Sequence, residues 1–595
     1  NINFLIPEPI MKRFILFIVA TLSAVSILAV SPSGTLPVFY INTENGTPIT
    51  SKEDYLTATY HLDALGLEGY TSIGSAEAPL PMQIKGRGNY TWWAFNKKPY
   101  RIKLDKKAAL LGMNSSKHFA LMAHADDSRA FMRNLTGFEV SRMAGMPWTP
   151  ADQPCEVILN GDYIGLYFLT ETIRFAKTRI NLTNPDDVVS DWLTANPSAT
   201  VDDYPFTEDD YTGAWLVEFD NTQDANQVYV DSRQGTNVEL WVTHKTPEDY
   251  VTDAHRQWLR KEFDAIDALI YADNNAEGAW LNKIDLTDAA RFFVVNQIMN
   301  NYESYTGSCY LYKDKGADQK WHFGPVWDFG SSFQVSRDVS KWIWESQYAQ
   351  HWIKNMWNCP AFQAEVKRIF EAMAAEGFDR IFNYQNEYAE RIRRAAQSDA
   401  ERWKSNGYGN PDMDTPLAEV QKQLRDAINS FGNKLGLEGY TKPEPIVGPI
   451  YLRGTDLGGW NVMETYKFTD LGNNIYQLKV NHLSGPFKIA DSQWDVVDYG
   501  GTENDLVNIN QPYSLVERGS NMQLASGSAE NVTLRFDLNN KSLTISDLSG
   551  VDLVVETSNA PVEYFNLQGM KVTQPQPGEK KKKKKGNRAY KIIYR

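Results

Sequence analysis

Residues 301–333 read NYESYTGSCYLYKDKGADQKWHFGPVWDFGSSF. The stretch closes on Asp328-Phe329-Gly330, a triplet that can present a carboxylate to a phosphate-bound metal. Two short segments precede it, 308–313 and 320–326, around a Lys-Asp-Lys-Gly turn. Their composition and spacing predict a strand pair. Glu303 and Ser308 stand upstream, five residues apart. Three common residues recur by chance, so the triplet carries little alone. The ordered module, with its strand pair, carries more.

The flanking segments predict a mixed α+β domain. In 99–105, Tyr100, Ile102 and Leu104 alternate with Arg101 and Lys103. That is the pattern of a half-buried strand with two cations on one face. Residues 127–145 predict a helix bearing Arg129, Arg133 and Arg142. Residues 155–171 predict a hairpin, because Asn160-Gly161 supplies the positive φ that a two-residue loop needs. Its second strand would show Tyr163, Gly165, Tyr167, Leu169 and Glu171 on one face. Helices are expected over 286–301, 361–403 and 415–435.

The chain has 595 residues, a net charge of −14 and 42% hydrophobic content, which is ordinary globular composition with room for two or more cores. The acidic balance argues against nucleic acid as a partner. Met11-Lys12-Arg13 and the apolar run from Phe14 to Val30 read as a secretory signal peptide. No later segment is apolar enough to span a membrane, so the expected location is periplasmic, secreted or outer-membrane-associated. Three cysteines are too few for a disulfide scaffold, and their spacing matches no zinc motif. The expected divisions are 1–33 (upstream residues and signal), 34–440 (main domain), 441–447 (a Pro-punctuated linker), 448–550 (short apolar runs between turns, a β-sandwich) and 551–595 (a tail or small strand module). Six lysines, Lys580 to Lys585, mark the tail, and such a run is normally solvated and flexible.

GRGNYTWWAFNKKPYRIKLDKK (86–107), the Arg133-Asn134 helix, ILNGDYIGLYFLTE (158–171) and CYLYKD…GPVWDFG together resemble the CotH kinase family, in a Bacteroides-type member. The resemblance spans roughly 36–400. It implies a divergent protein-kinase-like fold that binds ATP with Mg²⁺ or Mn²⁺ and phosphorylates protein Ser or Thr. Asp328 would then be a metal ligand and Glu303 the catalytic base, where the family is expected to have Asp. Ser308 stands where a second, metal-binding Asn is expected. Gly330 stands where many relatives carry another Asp. Lys98 or Lys103 would hold phosphate, with Glu171 orienting the ammonium. Arg87, in a Gly-flanked turn, and Arg133 are further phosphate candidates, although Arg133 also suits a structural ion pair and Lys103 suits solvated surface charge.

YLRGTDLGGWN (451–461) and GPFKIADSQWDVVDYGG (485–501) resemble starch-binding modules of SusE/SusF type. This implies glucan or other polysaccharide bound by Trp460, Trp494 and Lys488. An indole stacks on a sugar's apolar face, but the same residues suit a sandwich core. Two readings therefore stand: an exported atypical kinase, and an inactive kinase-like surface protein that binds carbohydrate.

Overall fold

The structure, a computed structural model, describes residues 30–127, 131–220, 226–230, 239–334, 337–345, 351–408, 411–437, 448–472, 474–494, 496–503 and 506–547, with backbone strands between 562 and 593. The signal-like run from Phe14 and the linker at 441–447 lie outside the described residues. Among the described residues no helix is long and apolar enough to cross a membrane. The chain divides into two compact units between Pro449 and Ile450, the Asp491–Val496 segment aside.

The first unit is mixed α and β. It begins with β1 (Val38–Thr43), β2 (Leu56–Asp63), β3 (Leu80–Gly86), α1 (Tyr90–Ala94), β4 (Tyr100–Ala108), β5 (Ser116–Met122), α2 (Arg133–Met143), β6 (Asp152–Leu159) and β7 (Asp162–Glu171). The seven strands form a closed barrel in the order β1-β2-β3-β4-β5-β7-β6. Parallel pairing of β1 with β6 closes it. Strand side chains alternate in and out. Phe39, Ile41, Tyr60, Leu62, Ile84, Ile102, Leu104, Phe119, Tyr167 and Leu169 belong to the apolar core. The opposite residues face out, so Lys85 lies across from Arg101, and Lys103 across from His118.

The β6–β7 turn places Asn160 and Gly161 at φ 51° and 82°, as an Asn-Gly hairpin requires. A bulge modifies the expected strand face. Val157 opposes Gly165, but Ile158 opposes Tyr163. The extra residue, Ile164, turns Tyr163 away from the side shared by Gly165, Tyr167 and Leu169.

The chain then builds α3 (Pro185–Ala195), β8 (Trp215–Phe219), β9 (Gln227–Tyr229), β10 (Trp241–Thr246), α4 (Asp253–Ile270), α5 (Leu286–Ile298), β11 (Cys309–Lys313), β12 (His322–Phe323), α6 (Ile353–Met356), α7 (Pro360–Glu376), α8 (Asp379–Trp403) and α9 (Asp414–Lys434). The strands form a second sheet, ordered β12-β11-β8-β10-β9. One large apolar cluster joins this sheet to the helices and to Leu166 and Phe168 of β7. The helix expected over 361–403 is two, broken at Gly377, whose φ is 96°.

A buried ion pair fixes α8 against the barrel. Lys97 and Asp399, neither exposed, meet at 2.8 Å. Asp399 Oδ1 also accepts from the Leu166 N–H at 2.9 Å. A Cβ at Gly165 would lie 2.0 Å from that oxygen, so the bulged strand needs glycine there.

The second unit holds a four-stranded sheet (Ile450–Gly454, Phe487–Asp491, Asp498–Gly500, Val516–Glu517) and a five-stranded one (Thr469–Asp470, Ile475–Ser484, Ser528–Asp537, Ser542–Ser546, Pro512–Ser514). Tyr499 of the first and Phe536 of the second lie with ring centroids 5.7 Å apart. The lysine run, expected to interrupt a small terminal strand module, is itself one of its strands: Lys580–Lys585 pairs with Val562–Phe565 and Arg588–Ile593.

Removing one partner of a buried ion pair strands the other charge, at a cost of roughly 3–5 kcal/mol. Lys97→Met should therefore sharply lower the melting temperature of the first unit, and Lys97→Met/Asp399→Leu should recover most of the loss. Calorimetric scans of the full chain and both variants check this.

Candidate active site

The Asp328 loop is held by α2. Arg133 is the first residue of that helix, not a mid-helix residue. Its Nε meets Asp127 Oδ1 at 2.9 Å, and its backbone N–H donates to Asp127 Oδ2 at 2.9 Å. Nη2 donates to the Asp126 carbonyl at 2.6 Å. Nη1 donates to the Gly330 carbonyl, and the Ser332 carbonyl lies 3.5 Å away. The guanidinium thus ties the turn before the helix to the loop after β12.

The next residue, Asn134, accepts from the Phe329 N–H at 2.8 Å. Its Nδ2 lies 3.1 Å from His124 Nδ1. Burial pushes the His124 pKa down to about 3, so the neutral ring can accept that bond. One turn on, Gly137 leaves room for Phe329. A Cβ there would stand 2.3 Å from the ring.

Asp328 itself has φ 56° and is exposed. Asn301 Nδ2 braces its carbonyl at 3.2 Å and bonds Asn296 Oδ1 at 3.0 Å. The Asp328 carboxylate accepts from the Gly330 N–H at 3.0 Å through Oδ1 only. Glu303 joins the same loop, its Oε2 accepting from Ser331 Oγ at 2.5 Å. Asn301, Glu303 and Asp328 are therefore brought together, with Arg133 behind them.

Arg87 connects this loop to the barrel. It follows β3, and its N–H continues the β3–β4 pairing by donating to the Pro99 carbonyl at 3.2 Å. Its guanidinium lies 5.5 Å from the Trp327 ring centroid. Burial lowers its pKa; Asp328 and Glu218 work against that shift, and Arg101 adds to it. The cationic face of the barrel and the Asp328 loop thus share one neighbour.

Glu218, on central strand β8, sits near the same guanidinium. It lies across from Tyr310 and 3.5 Å from Lys245. Burial raises its pKa to about 7, against the pull of Lys245.

Of the other expected ligands, Lys98, Glu171 and Lys488 are engaged elsewhere. Lys98 donates to the Trp92 carbonyl at the end of α1. Glu171 faces Arg179 at 3.6 Å, not Lys98 or Lys103. Lys103 is exposed on the outer face of β4. Ser308, at φ 53°, immediately precedes β11. Lys488 is paired with Asp498, and Trp460 and Trp494 are half-buried.

Sequence alone did not single out Asp126, Gly137 or Glu218, and it marked Asn134 only as part of the Arg133-Asn134 helix. The Asp126-Asp127 doublet just before the Arg133 helix was the one visible signal. A separate group, Asp285, Asp288 and His322, is close enough to hold a metal. Its acids are already engaged: Asp288 bonds Arg291 at 3.0 Å and His322 at 2.8 Å, and Asp285 caps α5.

These features define a mixed α+β protein whose carboxylate-bearing loop adjoins a cationic barrel face. The CotH kinase protein family model matches residues 84–430, and the chain belongs to that family. A search of the curated proteins gives no match.

Alanine normally stabilises a helix by about 1 kcal/mol over glycine. At position 137 the contact with Phe329 reverses the sign, and overpacking costs roughly 1–3 kcal/mol. Gly137→Ala should therefore lower the melting temperature and increase cleavage of the 328–334 loop in limited proteolysis.

The Glu218 carboxyl, raised from an unfolded value of about 4.3, binds its proton more tightly when folded. Its contribution to stability is complete below that unfolded value and is lost as pH rises through about 7. Glu218→Gln keeps a neutral group there, so melting temperatures between pH 5 and pH 8 should fall less with rising pH than in the parent.

Proposed function

We propose that this chain is an exported, atypical protein kinase of the CotH type, which transfers the γ-phosphoryl group of ATP to a protein Ser or Thr with Mg²⁺ or Mn²⁺. Support comes from Arg87, which lies against Trp327, beside Asp328, and continues the strand face that carries Lys85, Arg101 and Lys103. Phosphoryl transfer needs cations along the phosphate chain and a carboxylate at its reacting end.

The donor set suits a divalent cation. Such hard ions take oxygen ligands, and Asp328 Oδ2 makes no hydrogen bond among the described residues. When bound, the ion would neutralise charge on the transferred group. Arg87 and Arg101 would bind the phosphates, with Lys103 further along the strand. The acceptor hydroxyl oxygen would form a bond to the γ-phosphorus as the bond to the ADP oxygen breaks. Its proton would pass to Glu303, which Ser331 holds in place.

This assignment shifts phosphate binding from the lysines to the arginines. Lys98 is committed to its own turn, whereas Arg87 and Arg101 have no carboxylate within 4.0 Å among the described residues.

Incubation with Mn²⁺ and γ-labelled ATP should label the protein itself or an added casein-like acceptor. Asp328→Ala should abolish the label, and Arg87→Ala should reduce it at least tenfold. Labelling that survives Asp328→Ala would refute the mechanism. Complete absence of nucleotide binding by the parent would instead favour an inactive kinase-like protein that binds carbohydrate through its 448–550 region.

A further inference from the structure

We infer that Asp126 supplies, together with Asp328, the second carboxylate of the divalent-cation site, from the segment after β5 and not from position 330. The inference rests on the kinase reading above and assigns a residue that the D-F-G loop itself does not contain.

The space at position 330 carries the inference. A Cβ built on Gly330 would lie 2.8 Å from Asp126 Oδ2 and 3.1 Å from Asp328 Oδ1. Both carboxylates therefore converge on one point, and the place that a side chain at 330 would need is already taken by an acid from another segment. The Gly330 backbone has no positive φ, so conformation does not demand glycine there. The space does.

Like charges this close repel unless a cation lies near. The adjacent Arg133 guanidinium offsets part of that repulsion through space, but its hydrogen bonds go elsewhere. Arg133 bonds the Asp127 carboxylate and the carbonyls of Asp126 and Gly330. No side chain donates to the Asp126 carboxylate among the described residues; its own backbone N–H is the donor it has. Asp328 spends one oxygen on the Gly330 N–H. Arg133 therefore holds both acid-bearing segments together and leaves carboxylate oxygens for a hard cation, whose preferred ligands they are.

The test measures Mn²⁺ directly, by electron paramagnetic resonance of the full chain in the presence of a non-hydrolysable ATP analogue. Asp126→Asn, which keeps shape and removes charge, should weaken Mn²⁺ binding at least tenfold. Asp126→Ala/Gly330→Asp, which moves the acid into the vacated space, should restore affinity to within about threefold of the parent. Circular dichroism and melting temperature establish that each variant is folded. An Asp126→Asn protein that binds Mn²⁺ like the parent would overturn the inference while leaving the kinase reading intact. A folded exchange variant with no recovery would also overturn it. A parent that binds neither Mn²⁺ nor the analogue would overturn both.

Discussion

The Arg133 guanidinium is the contact on which the candidate site depends. It joins the turn that follows β5 to the loop that follows β12, bonding a carboxylate on one side and carbonyls on the other. A buried or half-buried guanidinium suits this role because its donors form a rigid fork. The residues next along α2 repeat the logic with different chemistry. Asn134 supplies an acceptor for the Phe329 N–H, and Gly137 supplies room for the Phe329 ring. One short helix face thus fixes the loop's height, its backbone direction and its anchor side chain. Asp328 can then sit at positive φ and remain exposed, because its neighbours bear the packing.

The barrel contributes charge in an unusual way. Its interior is apolar, so the cations of β3 and β4 must point outward. Lys85 and Arg101 stand directly across from each other, an arrangement that is unfavourable for like charges unless an anion or distance relieves it. Phosphate would provide such relief. Lys97 is the exception among the cations. It turns inward to Asp399 and sits 5.2 Å from the Tyr167 ring centroid. Two adjacent lysines, 97 and 98, therefore play opposite parts, one as a buried brace and the other tied to its own turn.

Local pattern made much of the scaffold legible. The alternation in β4 and the Asn-Gly turn of the β6–β7 hairpin follow from spacing and φ preference alone. Long-range partners were not legible. Nothing near Lys97 in sequence announces Asp399, and nothing near Glu171 decides between Arg179 and a lysine. The Ile164 bulge is also invisible to a period-two count, because one extra residue flips every side chain before it. For the site, the Asp328 module and Glu303 stood out by type and order. Asp126 did not, since an Asp-Asp doublet in a loop has many ordinary explanations until its neighbour at 330 is known.

That neighbour alters what the site requires in order to exist. Two acids on a single loop form a cation site as soon as the loop folds. Here one acid rides on the segment after β5, and the other on the loop after β12. Their meeting requires the barrel and the second sheet to dock through α2. Cation binding would then report on that docking, and Arg133, which hydrogen-bonds neither acid's free oxygens, would govern affinity through the placement of both acids and through its own charge. A glycine at 330 thus need not signal a degenerate site. It is the residue type that leaves room for a carboxylate arriving from elsewhere.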